Sequence, residues 1–274
     1  MTSQTLSPPE LNTLQIEIDG EIGTLTLNRP EAFNAMSPEM IGELTVAFAW
    51  LADRAPLRAL IVTGAGKAFC AGGDVTWFQK GVESEEIDLP SEVRRGAEAL
   101  HAAIVDLRRI PYPVIAAING PAAGAGFSLA LACDTRIASE AAFLACAYGR
   151  IGASPDGGMT YFLPRVVGPS RALELLLDDP NLSAAEALEE GLVRQVVAPE
   201  ALMDAARERA AKLAAKAPHY VRMSKLLCGV SIENSLTEHL QLERHGIADS
   251  MATEDLRSGV EAFFGGEKPQ FEGR

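Results

Sequence analysis

The groups able to do chemistry gather in three loop stretches, each rich in turn formers and each following an apolar run. The first is Gly64-Ala65-Gly66-Lys67-Ala68-Phe69-Cys70-Ala71-Gly72-Gly73-Asp74. The second spaces Gly120, Gly124 and Gly126 among alanines, and the third runs Tyr148-Gly149-Arg150-Ile151-Gly152-Ala153-Ser154-Pro155-Asp156-Gly157-Gly158. Glycines ahead of a helix leave its first N–H groups open to an oxyanion or carbonyl oxygen, because those groups lack intrahelical acceptors and sit at the positive end of the macrodipole. The same glycines would serve close packing of a helix on a strand equally well. Asp156 adds a carboxylate, and between Pro155 and two glycines it would also suit a simple Asx turn.

Other chemistries compete for the same residues. Gly126-Phe127-Ser128-Leu129-Ala130 approximates a Gly-x-Ser-x-Gly nucleophile elbow, with Asp156 and His219 following in hydrolase order. Alanine replaces the last glycine, however, and His219 lies between Pro218 and Tyr220 in a helical tail. Gly64-Ala65-Gly66-Lys67 hints at a phosphate loop, but Ala68 stands where Ser or Thr is needed and the upstream glycine spacing is wrong, while a GxGxxG reading fails because Phe69 stands where its third glycine belongs. Cys70, Cys133, Cys146 and Cys228 show neither CxxC spacing nor His at ligand intervals, so no metal site and no disulfide framework is expected.

The elements that must position these loops are legible from period and punctuation. Leu14 to Ile18 and Thr24 to Asn28 alternate as a hairpin around Asp19-Gly20. Ser37-Pro38-Glu39 caps and opens a helix to about Asp53. Ala59 to Thr63 and Val114 to Ile118 read as buried strands, and the latter feeds the helical run Phe127 to Ala132. Residues 80–91 are acidic and aperiodic, which predicts a mobile surface loop before a helix over Glu92 to Arg109. Short strands are expected at Thr135 to Ala138 and near Ala142 to Ala145. A helix from about Pro169 to Leu177 follows, then a capping box at Ser183-Ala184-Ala185-Glu186 and a stop at Gly191. From Pro199 onward the chain reads as helical, with breaks at Pro218 and Gly229. The expected division is a body over 1–198 and a C-terminal helical region over 199–274.

Composition bounds the rest. At 274 residues the chain can bury a large single core, and its net charge of -13 argues against nucleic-acid binding, which needs a basic face. The polar N-terminus resembles no secretory signal and no apolar run spans a bilayer, so a soluble, cytoplasmic protein without membrane partners is expected.

The chain resembles the crotonase superfamily, also called the enoyl-CoA hydratase/isomerase family, over nearly its whole length. The matching motifs are Leu25-Thr26-Leu27-Asn28-Arg29-Pro30, Asn34-Ala35-Met36, Lys67 to Asp74, Pro113 to Asp134, Gly191-Leu192-Val193, Ala262-Phe263-Phe264 and Lys268-Pro269-Gln270-Phe271. The resemblance implies an α/β fold of crotonase (ClpP-like) type: a spiral of repeated ββα turns whose C-terminal helical region packs against neighbours in a homotrimer or a dimer of trimers. It implies an acyl-CoA thioester substrate, with coenzyme A arriving as part of it and no permanently bound cofactor.

Roles carried over by the resemblance place the thioester oxygen between the N–H groups of Cys70 and Ala125, where an enolate would be stabilised. Coenzyme A contacts map to Arg29, Ala32, Ala68, Cys70, Ala71, Gly72, Gly73 and Asp74, with Lys268 reaching a phosphate across a subunit boundary. The two glutamates of family hydratases are replaced here by Ser128 and Tyr148, which titrate too high to activate water near neutral pH. Asp156 sits where enoyl-CoA isomerases and ring-epoxide phenylacetyl-CoA isomerases carry an acidic residue. The implied activity is therefore isomerisation with Asp156 as single acid/base in apolar surroundings, with hydration, serine hydrolysis and acyl-CoA binding without turnover as alternatives. Trp77, Phe78, Phe127, Tyr161 and Phe162 are the expected walls of the acyl pocket.

Overall fold

A computed structural model describes residues 7–53 and 55–274. Strands β1 (Leu14–Asp19) and β2 (Ile22–Leu27) form an antiparallel hairpin, followed by helix α1 (Pro38–Asp53) and strand β3 (Ala59–Gly64). Next come α2 (Val75–Glu83), α3 (Leu89–Arg109), β4 (Val114–Ile118), β5 (Ala122–Ala123), α4 (Ala125–Ala132), β6 (Thr135–Ser139) and β7 (Phe143–Ala145). The chain continues through α5 (Met159–Val167), α6 (Pro169–Asp178), β8 (Leu182–Ser183), α7 (Ala184–Glu189) and β9 (Gln195–Val197). Helices α8 (Leu202–Ala214), α9 (Pro218–Val230), α10 (Leu236–Ser250) and α11 (Glu254–Gly265) complete it.

One sheet has the order β1-β2-β3-β4-β6-β9 and is parallel from β2 onward, while β5, β7 and β8 form a second, smaller sheet. Successive strand residues point to opposite faces, and both faces of the central strands are covered. Leu60, Val62, Val114, Ala116 and Ile118 join a core with Met40, Leu44 and Phe48 of α1 and Leu100, Ile104 and Leu107 of α3. Ala59, Ile61, Ile115 and Ala117 face the other way, onto Leu202, Ala206 and Ala210 of α8. The boundary expected after residue 198 thus falls before a helix that closes one face of the sheet. Because β3 and β4 are parallel neighbours, the glycine stretches that follow them leave the same end of the sheet side by side.

Some elements differ from the sequence reading. Residues 80–91 are mostly helical: α2 runs to Glu83, α3 begins at Leu89, and Asp88 caps α3 through Ser91 N. Gly81 makes this possible, since Leu89 packs into the space its side chain would fill. Helix α5 was hidden behind Gly157-Gly158 and an internal Pro164; Met159 and Leu163, one turn apart and buried, hold it down. The break expected at Gly229 falls at the end of α9, which stops at Val230, and the following helices start at the Ser235 capping box and the Thr253 cap. No helix among the described residues is long and apolar enough to cross a membrane.

Candidate active site

The first two glycine stretches are bolted together by backbone hydrogen bonds. Phe69 N and Cys70 N both donate to Pro121 O at 3.1 Å, and Ala123 N donates to Cys70 O at 2.9 Å. Gly126 is required at this contact, because a Cβ there would lie 2.2 Å from Cys70 O. The expectation for Cys70 is therefore corrected: its N–H is spent on the bridge between the stretches and cannot hold a thioester oxygen. Burial also pushes its thiol up to about 12. Among the described residues, no acceptor serves the N–H of Gly73 or that of Ala125, the first residue of α4. The two lie close, since Gly72, at φ +100°, would place a Cβ 3.5 Å from Ala125 N. No side-chain signal marks Gly73; the bridge to Met36 on one side and Cys70 to Ala122 on the other leaves it open.

The third stretch crosses over α4. Ser128 is fully buried, and its Oγ lies 2.9 Å from Tyr148 Oη and 2.8 Å from the backbone oxygen of Asp156. Tyr148 Oη also reaches Asp156 O at 2.8 Å, and burial holds this phenol above its ordinary titration range. Ser128 and Tyr148 thus present two hydroxyls clamped on the main chain of Asp156. The Asp156 carboxylate is not enclosed by apolar side chains as expected: it is 36% exposed and faces His101 on α3. His101 has no motif around it, and only packing of α3 against α4 and the loop brings it in.

A cavity of about 970 Å³ opens beside this pair, walled by His101, Gly157, Tyr161 and Phe162 and extending to α9. Of the expected pocket aromatics, Tyr161 and Phe162 line it, as an edge-to-face pair at 5.1 Å. Phe127 is buried in the core instead, because the first turn of α4 is covered on all sides. Trp77 and Phe78 pair on α2 near Gly73 and are not part of this cavity's wall. The hydrolase constellation does not assemble: Ser128 meets the main chain of Asp156, and His219 packs against Gly246 O and Arg222. Among the described residues, no three His, Cys, Asp or Glu side chains gather to hold a metal ion.

The residues mapped to coenzyme A have structural duties here. Arg29 Nη1 donates to Ala35 O and to Asp74 Oδ2 at 3.1 Å, and Asp74 caps α2 through Thr76 N and Trp77 N. Ala68 is buried and its carbonyl accepts from Asn34 and Asn119. Ala32 lies partly exposed beside them, Ala71 is exposed, and Ala71 N donates to Phe33 O. Lys268 is exposed on a tail pinned by Arg58 to Phe271 O and by buried Asp255, which accepts from Glu272 N and Gly273 N. Arg58 precedes β3, so the tail is fastened at the end of that strand away from the glycine loop.

The sequence model of the family described as Enoyl-CoA hydratase/isomerase matches residues 17–274. The protein YngF of Bacillus subtilis (strain 168) is 40% identical over 240 residues, covering 87% of this chain and 90% of its own length. The 1,2-epoxyphenylacetyl-CoA isomerase of Escherichia coli (strain K12) is 37% identical over 257 residues, 94% of this chain and 97% of its own. Among solved structures, the enoyl-CoA hydratase of Bacillus anthracis superposes with a TM-score of 0.88 at 34% identity, over 96% of this chain and 100% of that one.

Proposed function

The chain belongs to the enoyl-CoA hydratase/isomerase family and has its crotonase fold, and from that premise we propose that it is an acyl-CoA isomerase with Asp156 as single acid/base. The thioester oxygen sits between the open N–H groups of Gly73 and Ala125. Asp156 takes a proton from a carbon of the acyl chain: the C–H bond breaks, the O–H bond forms, and the electron pair moves onto the thioester oxygen as an enolate. Return of the proton to a different carbon completes the shift. The cavity beside His101 and Phe162 takes the acyl chain.

The observation that carries this reading is the clamp on Asp156. Ser128 and Tyr148 stand at the hydratase glutamate positions, are committed to holding a carbonyl, and leave one carboxylate beside the His101 and Gly157 wall of the cavity. Replacing Asp156 by Asn keeps size and polarity while removing the base. It should cost roughly 10²–10⁴-fold in a 3-enoyl to 2-enoyl shift, followed by conjugated-thioester absorbance, with acyl-CoA binding near wild type. Hydration is the second reading, favoured by His101 as a further titratable group beside Asp156. Brisk hydration of a 2-enoyl-CoA that survives Asp156→Asn would sink the isomerase reading.

The assembly follows from the same reading. Ile232, Leu236, Phe263 and Phe264 are strongly exposed on the C-terminal helical region, which supports burial against other copies of the chain. A trimer or hexamer by sedimentation is expected, with Lys268 serving a neighbour's coenzyme A. A monomer at micromolar concentration would refute this.

A further inference from the structure

Among the described residues, the Asp156 carboxylate has one side-chain partner, and the mechanism above assigns it no part. His101 Nε2 lies 2.5 Å from Asp156 Oδ1. His101 stands on α3, whose Leu100, Ala103, Ile104 and Leu107 are buried in the core. That stripe fixes the rotation of the helix and presents His101 to the third loop and the cavity. The Asp156 main chain is held by Ser128 and Tyr148, whereas only His101 restrains rotation of its side chain. Other charges around the cavity are engaged elsewhere. Arg108 and Lys225 pair with Asp134, Arg109 pairs with Asp106, and Arg165 pairs with Glu233 while stacking on Tyr161. Glu98 lies one turn earlier on α3.

We propose that His101 is the positioning residue of Asp156, an inference that rests on Asp156 being the base. The neutral ring carries its proton on Nε2 and donates it to Oδ1, which leaves Oδ2 as the basic oxygen. When the substrate C–H bond breaks, its proton goes to Oδ2 and its electron pair to the thioester oxygen. The hydrogen bond at Oδ1 persists through both transfers, so the carboxyl group does not turn between taking the proton and returning it.

The test compares His101→Ala, His101→Gln and Asp156→Asn with wild type in the native assembly, on a 3-enoyl-CoA. Gln keeps an N–H donor at similar reach. His101→Ala should lower kcat by about 10- to 100-fold, the scale of a hydrogen bond to a charged group, with KM within about twofold. His101→Gln should recover most of that loss, because its amide N–H can still donate to the Asp156 carboxylate. An unchanged kcat in His101→Ala, or equal losses in His101→Ala and His101→Gln, overturns the proposal. Failure of the isomerase reading shows separately, as an Asp156→Asn enzyme that keeps its activity.

Discussion

Replacing Ser128 by Ala and Tyr148 by Phe, singly and together, probes how the third loop is held. Three contacts link Ser128 Oγ, Tyr148 Oη and Asp156 O, at 2.8 to 2.9 Å, yet the two hydroxyls supply only two protons. The carbonyl also accepts a longer bond, 3.2 Å, from Met159 N. With either hydroxyl gone the other still donates to Asp156 O, so each single change should cost about 1 kcal/mol. Removing both leaves the carbonyl with the long bond alone and should cost roughly 3 kcal/mol, a coupling of about 1 kcal/mol beyond the sum. A loop released in this way displaces the base, and kcat of the double variant should fall on the order of 10-fold or more, against small losses in the singles. Urea unfolding at fixed protein concentration gives the cycle, and the enoyl shift assay gives kcat. Stabilities that add within about 0.3 kcal/mol, or a double variant with wild-type kcat, would show that the hydroxyls do not share the carbonyl.

Further expectations concern the framework. Gly126→Ala would drive a Cβ to 2.2 Å from Cys70 O, a backbone atom that cannot swing aside, so it should destabilise the fold by roughly 1–3 kcal/mol and abolish acyl-CoA binding; calorimetric binding equal to wild type would refute the close contact. Burial pushes the thiols of Cys70 and Cys133 up to about 12 and that of Cys146 to about 11, while Cys228 is exposed. Ellman's reagent should therefore titrate at most one thiol per native chain and all four only after denaturation. At Glu43, partial burial favours the neutral acid, but hydrogen bonds from Asn12 N and from Thr13 Oγ1 and N outweigh it and hold the carboxyl below its ordinary 4.5. A depressed value stabilises the fold above the ordinary titration point, and that contribution is lost as pH falls through the folded value. Glu43→Gln should lower Tm by roughly 1–2 °C at pH 7, with the difference shrinking below pH ~4; a constant offset across that range would contradict the assignment.

What the sequence determined by itself is the set of features whose cause is local. The Ser37-Pro38 helix start, the Ser183 cap and the uninterrupted apolar runs of β3 and β4 are read from neighbours a few residues apart, because capping and side-chain period act at that range. The family motifs and the acidic residue in the third loop belong to the same legible class. Tertiary structure decided the site. Cys70 and Gly73 both lie in the same glycine-rich stretch, and only pairing with Pro121, Ala122 and Met36 determines which backbone donor remains open. A backbone N–H has no side-chain signature, so sequence alone cannot rank the two. His101 and Asp156 are 55 residues apart, and the pairing arises because the buried stripe of α3 sets the direction of one outward side chain. Phe127 turned inward for the complementary reason: α4 is covered all round, so its aromatic position has no cavity to face. Local chemistry sets which elements form and where they end, while the packing of those elements sets which of their polar groups are left without a partner.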